Sequence, residues 1–309
     1  MANERCLVCG LPCDGWYHGR CAKMLFGSKS VPSLAYSEAD LNEMATRLIS
    51  SRTSVPGVQA KLSVHLENET GDTRLTLVGL EGEYILKLPS KRFPELPEGE
   101  HFAMSLASAC GIETAKFGLV RLASGSLAYL TRRMDREGGI HHMEDFCQLT
   151  GRLAERKYYG SYEQIGKAIR RYSSFAGADA VKFYEVVLFS FIIGNSDMHL
   201  KNFSLIRSDL SDWQLSKAYD LVPVKTIMPE DRDELALTLN GKKRKLGVAD
   251  FASFAGSIGL TTMQSERANK RILAAISRHL GESLSSSFLS DGFKGRVSRL
   301  ISDNAAVLG

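Results

Sequence analysis

The densest run of groups able to do chemistry is Gly194-Asn195-Ser196-Asp197-Met198-His199-Leu200-Lys201-Asn202-Phe203-Ser204, which directly follows the most apolar stretch of the chain. Asp197 and Asn202 are separated by four residues. At that spacing a carboxylate can take the proton of an attacking hydroxyl while an amide oxygen just downstream ligates Mg²⁺ on a polyphosphate. Lys201 can set a point charge beside a transferring phosphoryl group. Eighteen residues beyond Asn202, after a strand expected over Trp213–Ala218, stands Tyr219-Asp220-Leu221, so Asp220 is the candidate second metal-binding carboxylate. Phosphoryl transfer asks for this set because its catalysis is chiefly positioning and charge neutralisation. His199 is ambiguous between orienting Asp197 and structural hydrogen bonding. Without a neighbouring imidazole or thiolate it is not expected to bind metal. An Asp-x4-Asn pair alone is weak, since most polar loops are only turns. Asp220 and an upstream lysine carry the case.

Upstream there is neither a Gly-x-Gly-x-x-Gly run nor a Walker loop. In their place stands Ser54-Val55-Pro56-Gly57-Val58-Gln59-Ala60-Lys61, a glycine-containing turn entering a strand. Backbone amides at Gly57, Val58 and Gln59, with Lys61, can cradle phosphate, although Pro-Gly is above all a turn signal. Lys87 lies inside the apolar strand Tyr84–Leu88 and needs a partner unless it faces solvent from an edge. Glu100 on the following helix is the expected partner.

Four of the six cysteines fall in the first 21 residues. Cys6, Cys9, His18 and Cys21 read Cys-x2-Cys-x8-His-x2-Cys, a tetrahedral ligand set for structural Zn²⁺, with Cys13 competing with His18. So short a stretch would draw its folding free energy from the metal. No signal peptide opens the chain, which predicts a reducing, cytoplasmic setting where clustered thiols bind metal more often than they pair.

These groups need elements to hold them. At 309 residues, 44% hydrophobic and 24% charged, the chain can bury a large core. Its net charge of +4 argues only weakly for an anionic ligand. The apolar run Val181–Gly194 is too short and too interrupted to span a membrane and reads as a buried helix. A helix is expected from Ser37 to about Ser50, with Ser37 as N-cap and Asp40 at N3. β patterning is expected from Lys61 to Leu88, a helix over 99–110 closed by Gly111, and strands at Lys116–Leu122 and Ser126–Thr131. Helices are expected at Ser161–Tyr172, at Asp179–Gly194 and from Asp250 onward. The reading is an α+β, two-lobed, protein-kinase-like fold. It has a Cys-rich zinc-binding segment and linker at 1–33, a β-rich N-lobe at 34–135 and a helical C-lobe at 136–309.

Taken together these residues resemble the HipA family of bacterial serine/threonine kinase toxins. The likeness rests on the loop 54–62, Ile85-Leu86-Lys87-Leu88-Pro89, Arg133-Met134-Asp135-Arg136, Asn195-x-Asp197-x-His199-x-Lys201-Asn202-Phe203-Ser204, Tyr219-Asp220-Leu221-Val222-Pro223 and the run Leu235–Lys242. The resemblance implies ATP and Mg²⁺ as cofactors, Asp197 as base, Asn202 and Asp220 as magnesium ligands, Lys87 on the phosphates and the loop 54–61 over them. It implies a protein substrate such as an aminoacyl-tRNA synthetase, and a helix-turn-helix antitoxin through which alone DNA is met. Only 53 residues precede Ser54, so the chain is similar to the short, HipT-like form of a split system, in which a separate small protein supplies the missing N-terminal subdomain. Pro56 stands where that form carries a second serine, leaving Ser54 as the implied autophosphorylation site. Competing readings are a degenerate nucleotide-binding scaffold, a small-molecule or lipid kinase, and a nucleic-acid regulator using the basic run Lys242-Lys243-Arg244-Lys245.

Overall fold

The computed structural model describes residues 4–34, 36–41, 43–44, 61–69, 72–78, 82–208 and 212–309. Ser54, Gly57, Val58 and Gln59 of the expected phosphate loop lie outside the described residues, as does the end of the helix expected over 37–50. Its start is described, and the cap is reciprocal. The Ser37 N–H donates to Asp40 Oδ2 at 2.9 Å, and the Asp40 N–H donates to Ser37 Oγ at 3.2 Å. The chain divides into two compact units.

The first unit comprises Met1–Phe102, Ala115–Glu137 and Ser286–Phe288. It holds helix α1 (Gly19–Phe26), the strands β1 (Lys61–Glu69), β2 (Asp72–Leu77), β3 (Tyr84–Lys87), β4 (Phe117–Arg121) and β5 (Leu127–Arg132), and the start of helix α2 (Leu96–Ala109). The strands form one antiparallel sheet in the order β2-β1-β3-β5-β4. In β1, Leu62 and Val64 are buried while Lys61 and His65 are exposed, the alternation of a strand packed on one face. That face meets Tyr84 and Leu86 of β3 and Leu130 of β5. Cys6, Val8, Cys21, Leu25 and Phe26 share this core, so the Cys-rich segment borrows the sheet's apolar interior. β4 approaches it closely at Gly118, where a Cβ would fall 2.8 Å from Leu25 and 3.0 Å from Val8. β3 is central, which removes the solvent-facing edge position considered for Lys87. α2 begins at Leu96, three residues before the expected 99.

The second unit comprises Ala103–Thr114, Gly138–Ser285 and Leu289–Gly309. Its three-stranded antiparallel sheet, β6 (His141–Asp145), β7 (Ser204–Ser208) and β8 (Gln214–Leu215), is ordered β6-β7-β8. β6 was not anticipated, because its His-His-Met-Glu-Asp sequence has no apolar alternation. The strand expected over Trp213–Ala218 is cut to two residues, because the chain leaves β7 and the Ala218 N–H turns to the Glu113 carbonyl. The helices are α3 (Phe146–Leu149), α4 (Tyr162–Tyr172), α5 (Ala176–Ile192), α6 (Val224–Ile227), α7 (Val248–Ser257), α8 (Thr262–Ser286) and α9 (Asp291–Ala306). α5 is the buried helix of the apolar run. Its Phe183 meets Tyr162, Phe203 and Phe254 in tilted and edge-on ring contacts. Asn304 of α9 donates Nδ2 to the carbonyls of Phe191 and Ile192 at 3.0 and 3.3 Å, satisfying acceptors that a helix end leaves open. The chain then turns at Gly194, φ +69°, and enters the polar loop 195–204.

Candidate active site

In the second unit, fully buried Asn195 is the first fastening of the loop. Its Oδ1 accepts the Asp197 N–H at 3.3 Å, and its Nδ2 reaches the Asp220 carbonyl at 3.5 Å. One side chain thus ties the two carboxylate-bearing loops together by their backbones. The Asp197 carbonyl accepts from the His199 N–H at 2.8 Å and from Asn202 Nδ2 at 3.0 Å. A 3₁₀ turn, Leu200–Asn202, brings Asn202 back over Asp197. With its NH₂ spent on that carbonyl, the Asn202 side chain keeps its oxygen as the remaining donor, the atom a hard cation needs. Asp220 adopts φ +60°, a left-handed conformation that costs a non-glycine residue about 1–2 kcal/mol and is concentrated at functional sites. Beside it, the Tyr219 hydroxyl bonds Ser204 Oγ at 2.6 Å and the Lys201 carbonyl at 2.9 Å, holding the loops in register.

Tyr158, which sequence reasoning passed over, donates its hydroxyl to Asp197 Oδ1 at 2.5 Å. The phenol is pushed well above its ordinary range, first by burial and then by the charge of Asp197 and its hydrogen bond, with smaller contributions from Asp220 and Asp231. The geometric link between the two carboxylate-bearing loops is Asn195, which bonds the backbones of Asp197 and Asp220. The His199 ring meets Tyr158 edge-on with centroids 5.0 Å apart, so His199 supports the tyrosine that touches Asp197. Lys201 Nζ pairs with Asp145 Oδ2 at 2.8 Å. Asp145 also caps α3, accepting the Gln148 N–H at 3.0 Å, so the unanticipated β6–α3 corner is what positions Lys201. No sequence signal pointed to Tyr158 or Asp145, which lie 39 and 56 residues from their partners.

In the first unit Lys87 Nζ and Glu100 Oε1 are 2.6 Å apart, with the residues 4% and 1% exposed. Lys87 also lies 5.4 Å from the centroid of the Tyr129 ring, its register partner on β5. A buried ion pair contributes little net stability against hydrophobic replacement. A buried, paired lysine on a central strand is a functional-site candidate. Lys61, exposed at the start of β1, is the register partner of Lys87 on β1.

Also in the first unit, Cys6, Cys9, His18 and Cys21 present ligand atoms that all lie within 4.8 Å of one another. Cys13 is not among them; its Sγ bonds the Gly15 carbonyl at 2.8 Å. Burial raises Cys6, but backbone N–H bonds from Cys9, His18 and Val8 outweigh it and bring the thiol down to about 7. Cys21 is pushed up to about 12 by burial and by its sulfur neighbours Cys6 and Cys9.

The basic run 242–245 is partly spent on carboxylates. Lys242 pairs with Asp250 at 2.8 Å, Arg244 with Asp233 at 2.8 Å and Lys243 with Asp233 at 3.9 Å. It flanks a tight turn in which Asn240 and Gly241 take φ +49° and +74°. Its four positive charges meet two carboxylates, Asp250 and Asp233, so part of the run's charge is offset within the fold. Among the described residues, no helix is long and apolar enough to cross a membrane.

Comparison with known proteins shows the family and the fold. The profile of the HipA-like C-terminal domain matches residues 53–282. The candidate kinase Y4dM of Sinorhizobium fredii is 34% identical over 226 residues, 68% of this chain and 54% of that protein. The chain thus spans about half the length of the first curated relatives it matches. The fold is similar to Shewanella oneidensis HipA, solved with HipB and operator DNA, at TM-score 0.68 and 22% identity over 82% of this chain and 64% of that one. It is also similar to the Helicobacter pylori proinflammatory kinase CtkA, at TM-score 0.56 and 16% identity over 80% of this chain and 92% of that one.

Proposed function

The chain belongs to the family of HipA-like C-terminal domains, and from that premise we propose that it is an ATP- and magnesium-dependent serine/threonine protein kinase acting as a toxin. The observation that carries this reading is Asn195 tying the Asp197 and Asp220 loops together by their backbones, with Asn202 folded back onto the Asp197 carbonyl. Asp197 accepts the proton of the attacking hydroxyl. Tyr158 already donates to it at 2.5 Å, as an acceptor hydroxyl would, so the incoming serine displaces that phenol. Asn202 and Asp220 hold Mg²⁺, which neutralises phosphate charge when bound. Lys87, oriented by Glu100, anchors the nucleotide phosphates. Lys201 is held by Asp145 with its side chain 40% exposed, and can supply charge to the phosphoryl group.

The acceptor is a translation component such as an aminoacyl-tRNA synthetase, reached in the cytoplasm. The solved relative sits with HipB on operator DNA. A helix-turn-helix antitoxin is accordingly the partner proposed here. Ser54 is the autophosphorylation site. Phosphate there adds about −1.5 to −2 charges to a loop built to accept phosphate and so competes with ATP. A Ser54→Ala protein that binds ATP no better than the Ser54-phosphorylated enzyme would refute that regulation. A small-molecule acceptor is the second reading, because the half-exposed Tyr158 is the group of this chain that marks the acceptor position.

The deciding experiment incubates the full chain with ATP and Mg²⁺, maps phosphoserine by mass spectrometry, and repeats it with Asp197→Asn. Wild type gains phosphate and the variant does not, while its circular dichroism and nucleotide binding are retained. Equal phosphate incorporation by both proteins would remove Asp197 as the base.

A further inference from the structure

The N-terminal segment makes two hydrogen bonds that bear on the Lys87–Glu100 pair. In one, His101, adjacent to Glu100 on α2, lies 2.9 Å through Nε2 from the Val8 carbonyl. A carbonyl only accepts, so Nε2 carries the proton and donates. Val8 lies between Cys6 and Cys9. In the other, the Tyr84 hydroxyl, on the strand of Lys87, donates to the Leu25 carbonyl of α1 at 3.0 Å. Leu25 lies one turn beyond Cys21. The same segment covers the open edge of β4. The Leu119 N–H donates to the Leu7 carbonyl, and the Tyr17 hydroxyl donates to the Leu119 carbonyl, both at 2.7 Å.

We propose that Cys6, Cys9, His18 and Cys21 hold a structural zinc ion, and that this metal knuckle clamps the two elements carrying Lys87 and Glu100. A tetrahedral site with Zn–S of about 2.3 Å and Zn–N of about 2.0–2.1 Å has ligand-to-ligand edges of about 3.5–3.8 Å. Here Cys9 Sγ and Cys21 Sγ lie 3.4 and 3.9 Å from His18 Nδ1. His18 Nε2 is 3.1 Å from the Pro12 carbonyl, which sets the proton on Nε2 and leaves the Nδ1 lone pair facing the sulfurs. The His18 N–H donates to Cys6 Sγ at 3.4 Å, supporting that sulfur as an acceptor. Gly10 closes the Cys-x2-Cys turn at φ +71°, donating its N–H to the Cys6 carbonyl at 2.7 Å. Three thiolates and an imidazole select zinc over magnesium or calcium. Four protein ligands, two of them buried, leave no open catalytic position.

The test uses the full chain and no ATP, so its outcome stands apart from that of the phosphoryl-transfer reading. Zinc released from purified protein by a mercurial and read with a colorimetric chelator amounts to about one ion per chain. Cys13→Ser keeps it and Cys9→Ser loses it. Hydrogen exchange of residues 84–88 and 96–102 speeds up by about tenfold or more in the zinc-free protein, while that of 176–192 is unchanged. Wild-type protein stripped by chelation serves for the exchange measurement if Cys9→Ser does not fold. Zinc-free wild type after purification in zinc-supplemented medium, or full zinc content in Cys9→Ser, overturns the site. Unchanged exchange at 84–88 and 96–102 on zinc loss overturns the clamp.

Discussion

Replacing Lys87 by Met keeps the length of the side chain and removes its charge, leaving Glu100 buried at 1% exposure. At the 2.6 Å separation of the pair and an effective dielectric near 20, the direct attraction is about 6 kcal/mol, most of which offsets the cost of taking both charges out of water. The net worth of the pair is therefore small, but breaking one side leaves an uncompensated buried charge, which costs about 3–5 kcal/mol. Lys87→Met is expected to lower the stability of the first unit by that amount. The double variant Lys87→Met/Glu100→Leu is expected to return to within about 1 kcal/mol of wild type while remaining inactive in phosphoryl transfer. Trp16 lies in the first unit and Trp213 in the second, so urea unfolding followed by fluorescence in a Trp213→Phe background reports the unit of interest. A double variant as unstable as Lys87→Met, or a single variant as stable as wild type, would refute the account of a compensated pair. A double variant retaining full phosphoryl transfer would refute the role given to Lys87.

Burial, opposed by the Val8 hydrogen bond and aided by Arg5, holds the His101 imidazole at about 4 against an ordinary 6.5. Between those values the unfolded chain binds a proton that the folded one does not, so stability falls as pH drops from 6.5 toward 4, by up to about 3 kcal/mol. His101→Gln, which keeps an N–H donor for Val8, should remove that part of the slope in thermal unfolding across this range. Tyr158→Phe deletes the hydroxyl that bonds Asp197 and should lower the acceptor KM by about tenfold or more, since a charge-assisted bond of about 1.5–3 kcal/mol no longer has to be displaced. Steady-state kinetics showing a hundredfold fall in kcat would make the tyrosine a participant instead. Gly194→Ala should cost about 1–3 kcal/mol, read as a drop in Tm, because φ is +69° and the new Cβ falls 2.6 Å from Leu300 and 3.2 Å from Lys225.

The polar loop 195–204 was legible because its spacing is local. Asp197 and Asn202 share one turn, and that turn is closed by contacts among the same few residues. The ligand spacing of Cys6, Cys9, His18 and Cys21 is local in the same way, and the structure brings those four together without Cys13. Boundaries were less legible. α2 begins at Leu96 and β8 shrinks to Gln214–Leu215, because each end is decided by a neighbour arriving from elsewhere in the chain.

From the order of residues alone came a β-rich stretch followed by helices, a carboxylate with two further oxygen-bearing side chains downstream, and the pairing of Lys87 with Glu100, since hydrophobic period and short-range spacing are properties of the chain itself. Only the tertiary structure decided that Tyr158 sits on Asp197, that Asp145 holds Lys201, and that the cysteine segment binds α2 and β3 through His101 and Tyr84. Those partners lie tens of residues apart. A hydrogen bond between distant residues leaves no trace in local pattern, because what brings its two atoms together is the burial of the elements that carry them.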